Sequence, residues 1–288
     1  KPANYDRSAT QFSPSGRLLQ AEYALTASKR YINNEEQYFD TSISNSSNFT
    51  ASSSSQITIS AVTNGKSSCI VRVLPREAHQ TPVKHASNVV RVSSLTPSAL
   101  FFSPTIGTKG LSSPEADSLF LKSVLIDSIN QHLLKYGAFP SASEIAAVGD
   151  ELSHELTLSP GLRPLGVEGV IVGAESIYVV NAMQSRGGVW GVVRGGKEGM
   201  KSGEEILMQQ IKNMSTFDVI DAAWSSLSSS LDHTKECELI FIKAPRRSPM
   251  ADDFADPDQQ EKSIFTMSKV TPQNFPQAKQ SLLELIKF

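Results

Sequence analysis

Two cysteines in 288 residues, Cys69 and Cys237, leave no room for a disulfide framework. They stand far apart, each in an apolar run that reads as a strand, so buried reduced thiols are expected rather than a bridge. No apolar run approaches the roughly 18 residues that span a bilayer, and the N-terminus lacks a signal-peptide core. The net charge is only -2, so no basic excess draws the chain to nucleic acid or a membrane surface. These absences predict a soluble cytoplasmic or nuclear protein, with neither nucleic acid nor membrane as partner. The glycosylation triplets that begin at Asn45, Asn48 and Asn213 then carry no meaning. Metal-site chemistry is thin too. His79 and His85 share one polar loop without a third ligand, His132 and His154 fall within helices, and His233 follows one. Glu151 and Glu155 are like charges four residues apart, which reads as a solvated helix face rather than a catalytic pair. The glycines at 187, 188, 191, 195, 196 and 199 lack phosphate-loop spacing and read as turns around a strand. No metal and no cofactor are expected.

What is there starts near the N-terminus. Tyr5-Asp6-Arg7 leads to Phe12-Ser13-Pro14-Ser15-Gly16-Arg17-Leu18 and then to Gln20-Ala21-Glu22-Tyr23-Ala24. Pro14 disfavours the helical region for Ser13, and Gly16 adds a second permissive joint. Beyond them Leu18, Ala21, Leu25, Ser28 and Ile32 make one stripe of a helix, with Arg17, Gln20 and Glu22 off it. A polar-aromatic strip therefore turns sharply and runs into an amphipathic helix.

The rest of the chain reads in order. Residues 33–56 are rich in Asn, Ser and Thr and read as a surface loop or low-complexity insertion. Ile57–Val62 and Cys69–Leu74 form a hairpin across Asn64-Gly65. A second strand pair is Val89–Val92 with Ala99–Phe102. A helix opens at Ser113-Pro114-Glu115 and carries Leu119, Leu121, Leu125, Ile126, Ile129, Leu133 and Leu134 on its apolar face. Another runs from about Ser143 to Leu158, with Ile145, Val148, Leu152 and Leu156 inward, and stops at Pro160-Gly161. Strands follow at Val167–Val172, Ser176–Ala182 and Val189–Val193. A capping box at Ser202–Glu205 starts a third helix, with Ile206, Leu207, Ile211 and Met214 apolar. An acid-bearing cap at Ser215–Asp218 starts a fourth, with Val219, Ile220, Ala223, Trp224, Leu227 and Leu231 inward. Glu238–Lys243 reads as the strand that closes a sheet. A charged linker, Pro245–Lys262, leads to a last helix with Leu282, Leu283 and Ile286. Runs of strands followed by runs of helices give an α+β chain, and two antiparallel sheets face to face with helix pairs outside would bury every apolar face.

The N-terminal order of residues resembles the signature of alpha-type subunits of the 20S proteasome, and Arg163-Pro164-Leu165-Gly166 resembles the entry to the second sheet in that family. The Leu at 165 and Tyr5-Asp6-Arg7 resemble the first of the seven eukaryotic alpha paralogues. The resemblance implies a four-layer αββα sandwich of the N-terminal nucleophile hydrolase type. Residues 1–17 would be a gate strip outside the sandwich. Residues 18–288 would be one domain, with the insertion at 33–56 and a C-terminal helix at about 275–288. It implies a seat in a seven-membered outer ring beside other alpha subunits, stacked on the beta ring, with activator particles as further partners in ubiquitin-dependent degradation. The gate and interface positions carried over are Tyr5, Asp6, Arg7, Phe12, Pro14, Gly16 and Tyr23. The family's activator pocket needs a lysine before the second strand pair; Lys84 is the nearest candidate, with His79 the alternative at that place. Hydrolase activity would need a Thr, Ser or Cys at the mature N-terminus, and residue 1 is Lys. The slot aligned to the nucleophile is Ile57, and no aspartate occurs from Thr41 through Ala116 to supply the family's carboxylate. A non-catalytic subunit is the reading; the rivals are an active hydrolase with a retained propeptide and a stand-alone interaction module.

Overall fold

The computed structural model describes residues 10–33, 59–74, 92–104, 114–183, 185–189, 191–194, 214–215, 218–228, 236–244 and 263–287. Five helices are described: α1 (Leu19–Asn33), α2 (Pro114–Tyr136), α3 (Ala142–Leu158), α4 (Asp218–Ser228) and α5 (Phe275–Lys287). Ten strands accompany them: β1 (Ile59–Thr63), β2 (Ser67–Val73), β3 (Val92–Thr96), β4 (Ala99–Phe102), β5 (Gly169–Gly173), β6 (Ile177–Val180), β7 (Ser185–Gly188), β8 (Gly191–Arg194), β9 (Cys237–Lys243) and β10 (Ile264–Val270).

The strands make two antiparallel sheets, ordered β10-β9-β2-β1-β8 and β3-β4-β5-β6-β7. Each central strand buries both faces, and the two-residue period of a strand sorts its side chains between two different cores. On β2, Ile70 faces the other sheet while Cys69 and Val71 face helices; on β9, Ile240 and Ile242 face inward while Leu239 and Phe241 face out. On β4, Leu100 and Phe102 point to the first sheet, while Ala99 and Phe101 point to α2 and α3. Three apolar layers result. One lies between the sheets. One lies under α4 and α5, where Trp224 stacks on Phe275. One lies under α2 and α3, with Leu121, Leu125, Ile129 and Ile145. This is the expected αββα sandwich.

Local chemistry explains the element ends. Asn64 Oδ1 accepts the Lys66 and Ser67 amides at 3.0 and 2.9 Å, and Gly65 takes φ 85°, so the β1–β2 hairpin turns where the Asn-Gly pair predicts. The Ser215–Asp218 cap is present, with Ser215 Oγ donating to Asp218 at 2.7 Å. A true capping box, unnoticed in the sequence, opens α3 at Ser141 and Glu144. Met214 is half-buried against the α4–α5 layer; the predicted box at Ser202 and its helix at 202–213 lie outside the described residues, as do 33–56 beyond Asn33.

Several expectations are corrected. The strand expected to end at Val92 continues through two serines to Thr96; residues 89–91 lie outside the described residues. β7 is not anticipated by pattern, because Ser185-Arg186-Gly187-Gly188 has no apolar residue. Its Gly187 is required by packing: a Cβ there would sit 1.9 Å from the Tyr178 ring. β9 does not close its sheet, since β10 pairs along its outer side. On α2, Leu119 and Leu134 are exposed instead of inward, while Asp117 is buried. On α1 the buried face is Ala21, Ala24 and Ser28, with Leu18 and Leu25 only half-buried. The two cysteines are buried thiols with no bridge between them, Cys69 opposite Phe241 and Cys237 opposite Val73, and burial pushes the Cys69 thiol up.

Phe102 is fully buried between the sheets. Phe102→Ala should lower unfolding stability by about 3–5 kcal/mol, read as a lower denaturant midpoint. Leu134→Ala, at a side chain 88% exposed, should shift it by less than about 0.5 kcal/mol.

Candidate functional site

The turn before α1 is built from one serine, Ser13. Its N–H donates to Arg17 O at 2.9 Å, its carbonyl accepts Gly16 N at 2.9 Å, and its Oγ accepts Arg17 N at 3.0 Å. Pro14 follows, where a fixed φ and a missing N–H cost nothing in a turn. Gly16 has φ 75°, a conformation that favours glycine. Arg17 then forks onto Glu22 in the first turn of α1, with Nε to Oε1 at 2.8 Å and Nη2 on Oε2. That pairing raises the guanidinium pKa and holds the Glu22 carboxyl below its ordinary value of 4.5, chiefly through the hydrogen bond. The turn and the helix start are thereby locked together on the surface.

Around this lock the aromatic side chains face solvent. Phe12 is 60% and Tyr23 52% exposed, and Pro14 and Gly16 are not buried either. The structure therefore gathers four of the predicted gate positions, Phe12, Pro14, Gly16 and Tyr23, on one surface segment. Tyr5, Asp6 and Arg7 lie outside the described residues, and so do His79 and Lys84.

A feature that sequence reasoning missed lies under α1. Asp117, in the first turn of α2, is only 5% exposed. It accepts Arg163 Nη1 at 2.8 Å, Arg163 Nη2 at 2.6 Å and the Gly166 amide at 2.9 Å. The signal is half visible in the sequence: Arg163 and Gly166 belong to one motif, but their carboxylate partner stands 46 residues before Arg163.

The nucleophile slot, Ile57, is not described. Two residues on, Ile59 is buried in the layer between the sheets, directly opposite Arg72 of β2. Arg72 pairs with Glu238 of β9. His132 Nδ1 lies 3.0 Å from Ala138 O, and Glu151, His154 and Glu155 are exposed on α3. No group of three His, Cys, Asp or Glu among the described residues is placed to hold a metal ion.

A family model of the N-terminal signature of A-type proteasome subunits matches residues 5–27. The N-terminal segment carries the signature of alpha-type proteasome subunits. The match spans the strip, the serine turn and α1 as far as Ala27, the residue that reaches Gly166. No curated protein matches the sequence.

The Arg17–Glu22 lock has a defined pH dependence. Its contribution is complete above pH 4.5, the ordinary value, and is lost as pH falls through the depressed pKa of Glu22. In a carbon-detected NMR titration, Arg17→Met should move the Glu22 midpoint upward toward that ordinary value; an unmoved midpoint would contradict the lock.

Proposed function

We propose that this chain is an alpha-type, non-catalytic member of the outer ring of the 20S proteasome, contributing to assembly, gating of the axial entry and activator docking. The observation that carries this reading is the hydrogen-bonded serine turn, beside which Phe12 and Tyr23 face solvent. Apolar aromatic surface left in water around a fixed turn suits a contact with another chain. The strip itself, Lys1 to Gln11, has no apolar periodicity, yet it carries Tyr5, Asp6 and Arg7, which can bond laterally to a neighbour. Tyr5, Asp6, Pro14 and Tyr23 are the positions we assign to the open-gate contact. Lys84, or His79 in its place, is assigned to the activator pocket. Substrate chains would arrive through ubiquitin-dependent degradation, in the cytoplasm and nucleus.

The non-catalytic part rests on chemistry that the chain lacks. The stretch from Thr41 through Ala116 offers no aspartate to serve as the carboxylate such hydrolases use. The end of the sandwich where β1 begins supports the same reading. By the two-residue period Arg72 and Glu238 share the inner face with Ile70 and Ile240, beside buried Ile59. Arg72 and Glu238 are occupied with each other there.

Particles assembled with this subunit lacking residues 1–12 should show modestly faster basal peptide hydrolysis, and Tyr5→Ala or Asp6→Ala should weaken activator-driven stimulation. Threonine-directed inhibitors should label other subunits and not this one. Unchanged basal and activated rates in a correctly assembled particle would remove the gating role, and labelling of this chain would remove the non-catalytic one.

A further inference from the structure

We propose that Asp117 is the positioning residue of the signature helix: through Arg163 and Gly166 it fixes the platform on which α1 is seated. The first observation is what α1 lacks. None of its described side chains belongs to the three apolar layers that hold the other helices. Its buried face is Ala21, Ala24 and Ser28, side chains too small to secure a helix by area alone. An element so lightly held sits at the low end of the local stability range.

The second observation is what lies beneath it. A Cβ built on Gly166 would come 4.0 Å from Ala27 Cβ of α1 and 3.7 Å from Asp117 Oδ2. Gly166 therefore lies close to both the buried carboxylate and the helix. Its backbone has one polar tether on this side, the 2.9 Å bond from its amide to Asp117. Arg163 holds the same carboxylate with both terminal nitrogens and reaches back to Pro164 O at 3.3 Å. The segment from 163 to 166 is thus drawn against α2 at two points. Arg163 has its side chain largely in solvent, whereas the Asp117 side chain is covered. The carboxylate is the hub, because it alone touches both ends of the segment. Leu165 and Val167 seat the same segment in the apolar layer under α2 and α3, and the carboxylate adds the polar contacts that set the backbone at Gly166.

The consequence reaches the N-terminal strip, since α1 and the serine turn are locked together by Arg17 and Glu22. That consequence rests on the gating reading, but the seating of α1 does not, and it is measured on the free chain. Hydrogen exchange by mass spectrometry on the full chain is the test. In Asp117→Asn, peptides covering residues 19–28 should lose protection at least about tenfold, while those of β1, β2 and β9 keep theirs. Arg163→Lys, which can retain one of the two bonds, should fall between the two. Should Asp117→Asn fail to fold, Gly166→Leu leaves the ion pair in place and inserts a side chain toward Ala27; it should give the same selective loss. Unchanged protection of α1, or an even loss over the whole chain, would overturn the proposal. Neither result bears on whether the strip gates, because no ring is present in this measurement.

Discussion

One apolar layer between two five-stranded sheets sets the terms for everything else. Each central strand must bury one side against the other sheet and the other side against helices, so it can have no wet face. Ile70, Phe102, Val170, Val172 and Ile240 fill the inner layer, and their immediate neighbours in sequence fill the outer ones. A slip of one residue on β2 would bring Cys69 and Val71 inward and expel Ile70 to the helix side, and the same slip would bury Arg72 against α4 and α5. Register is therefore fixed by charge as much as by volume. At the hairpin end of the layer the sheets are also tied by hydroxyls. Ser68 Oγ donates to Gly173 O at 2.5 Å, and Thr63 Oγ1 to Ala174 O at 3.2 Å. Among the described residues no buried side-chain nitrogen or oxygen is left without a partner, so hydrogen bonds offset the cost of desolvating these polar groups.

Central strands are legible in the sequence for that reason; of the four edge strands only β8 is, as the run expected at Val189–Val193. β1, β2, β4, β5, β6 and β9 appear there as apolar or β-branched runs because both faces are buried. β3, β7 and β10 escape such reading in whole or in part, and all three stand at sheet edges. An edge strand pairs on one side only and can leave half its residues in water, so Val92-Ser93-Ser94-Leu95-Thr96 or Ser185-Arg186-Gly187-Gly188 needs no apolar pattern. β10 adds a bulge at its end, where Lys269 takes φ 59° and the register with β9 shifts between Met267 and Val270. Such an irregular edge is poor at pairing with another chain, and it also blurs the alternation by which a strand is recognised.

The candidate site divides in the same way. Its local half is plain: Ser13, Pro14, Gly16 and the start of α1 interact within a few residues, and spacing alone reveals such contacts. The Arg17–Glu22 fork is equally short in range, though an apolar stripe marks both residues only as lying off it. The half under α1 is hidden because Asp117 and Arg163 meet only after α2 and α3 have folded back on each other. Asp117 also looks like an ordinary first-turn acid, which helix starts favour on their own account.

These two halves differ in kind, and the difference bears on what the segment can do. The sandwich body is held by three apolar layers whose loss would unfold the chain. The signature segment is held by a serine turn, an exposed ion pair and the approach of Ala27 to a glycine whose amide is bound to a buried carboxylate. Polar and short-range contacts of this sort are screened by water and individually weak, so the segment can shift while the body stays rigid. Burying Phe12 and Tyr23 in a large apolar core would have removed that freedom. A surface that must meet a neighbouring chain gains from the opposite arrangement, in which the body fixes where the helix starts and the helix leaves its aromatic side chains free for the partner. The absence of α1 from the apolar layers is then a requirement of its position, and the buried carboxylate beneath it supplies the precision that hydrophobic packing would otherwise have given.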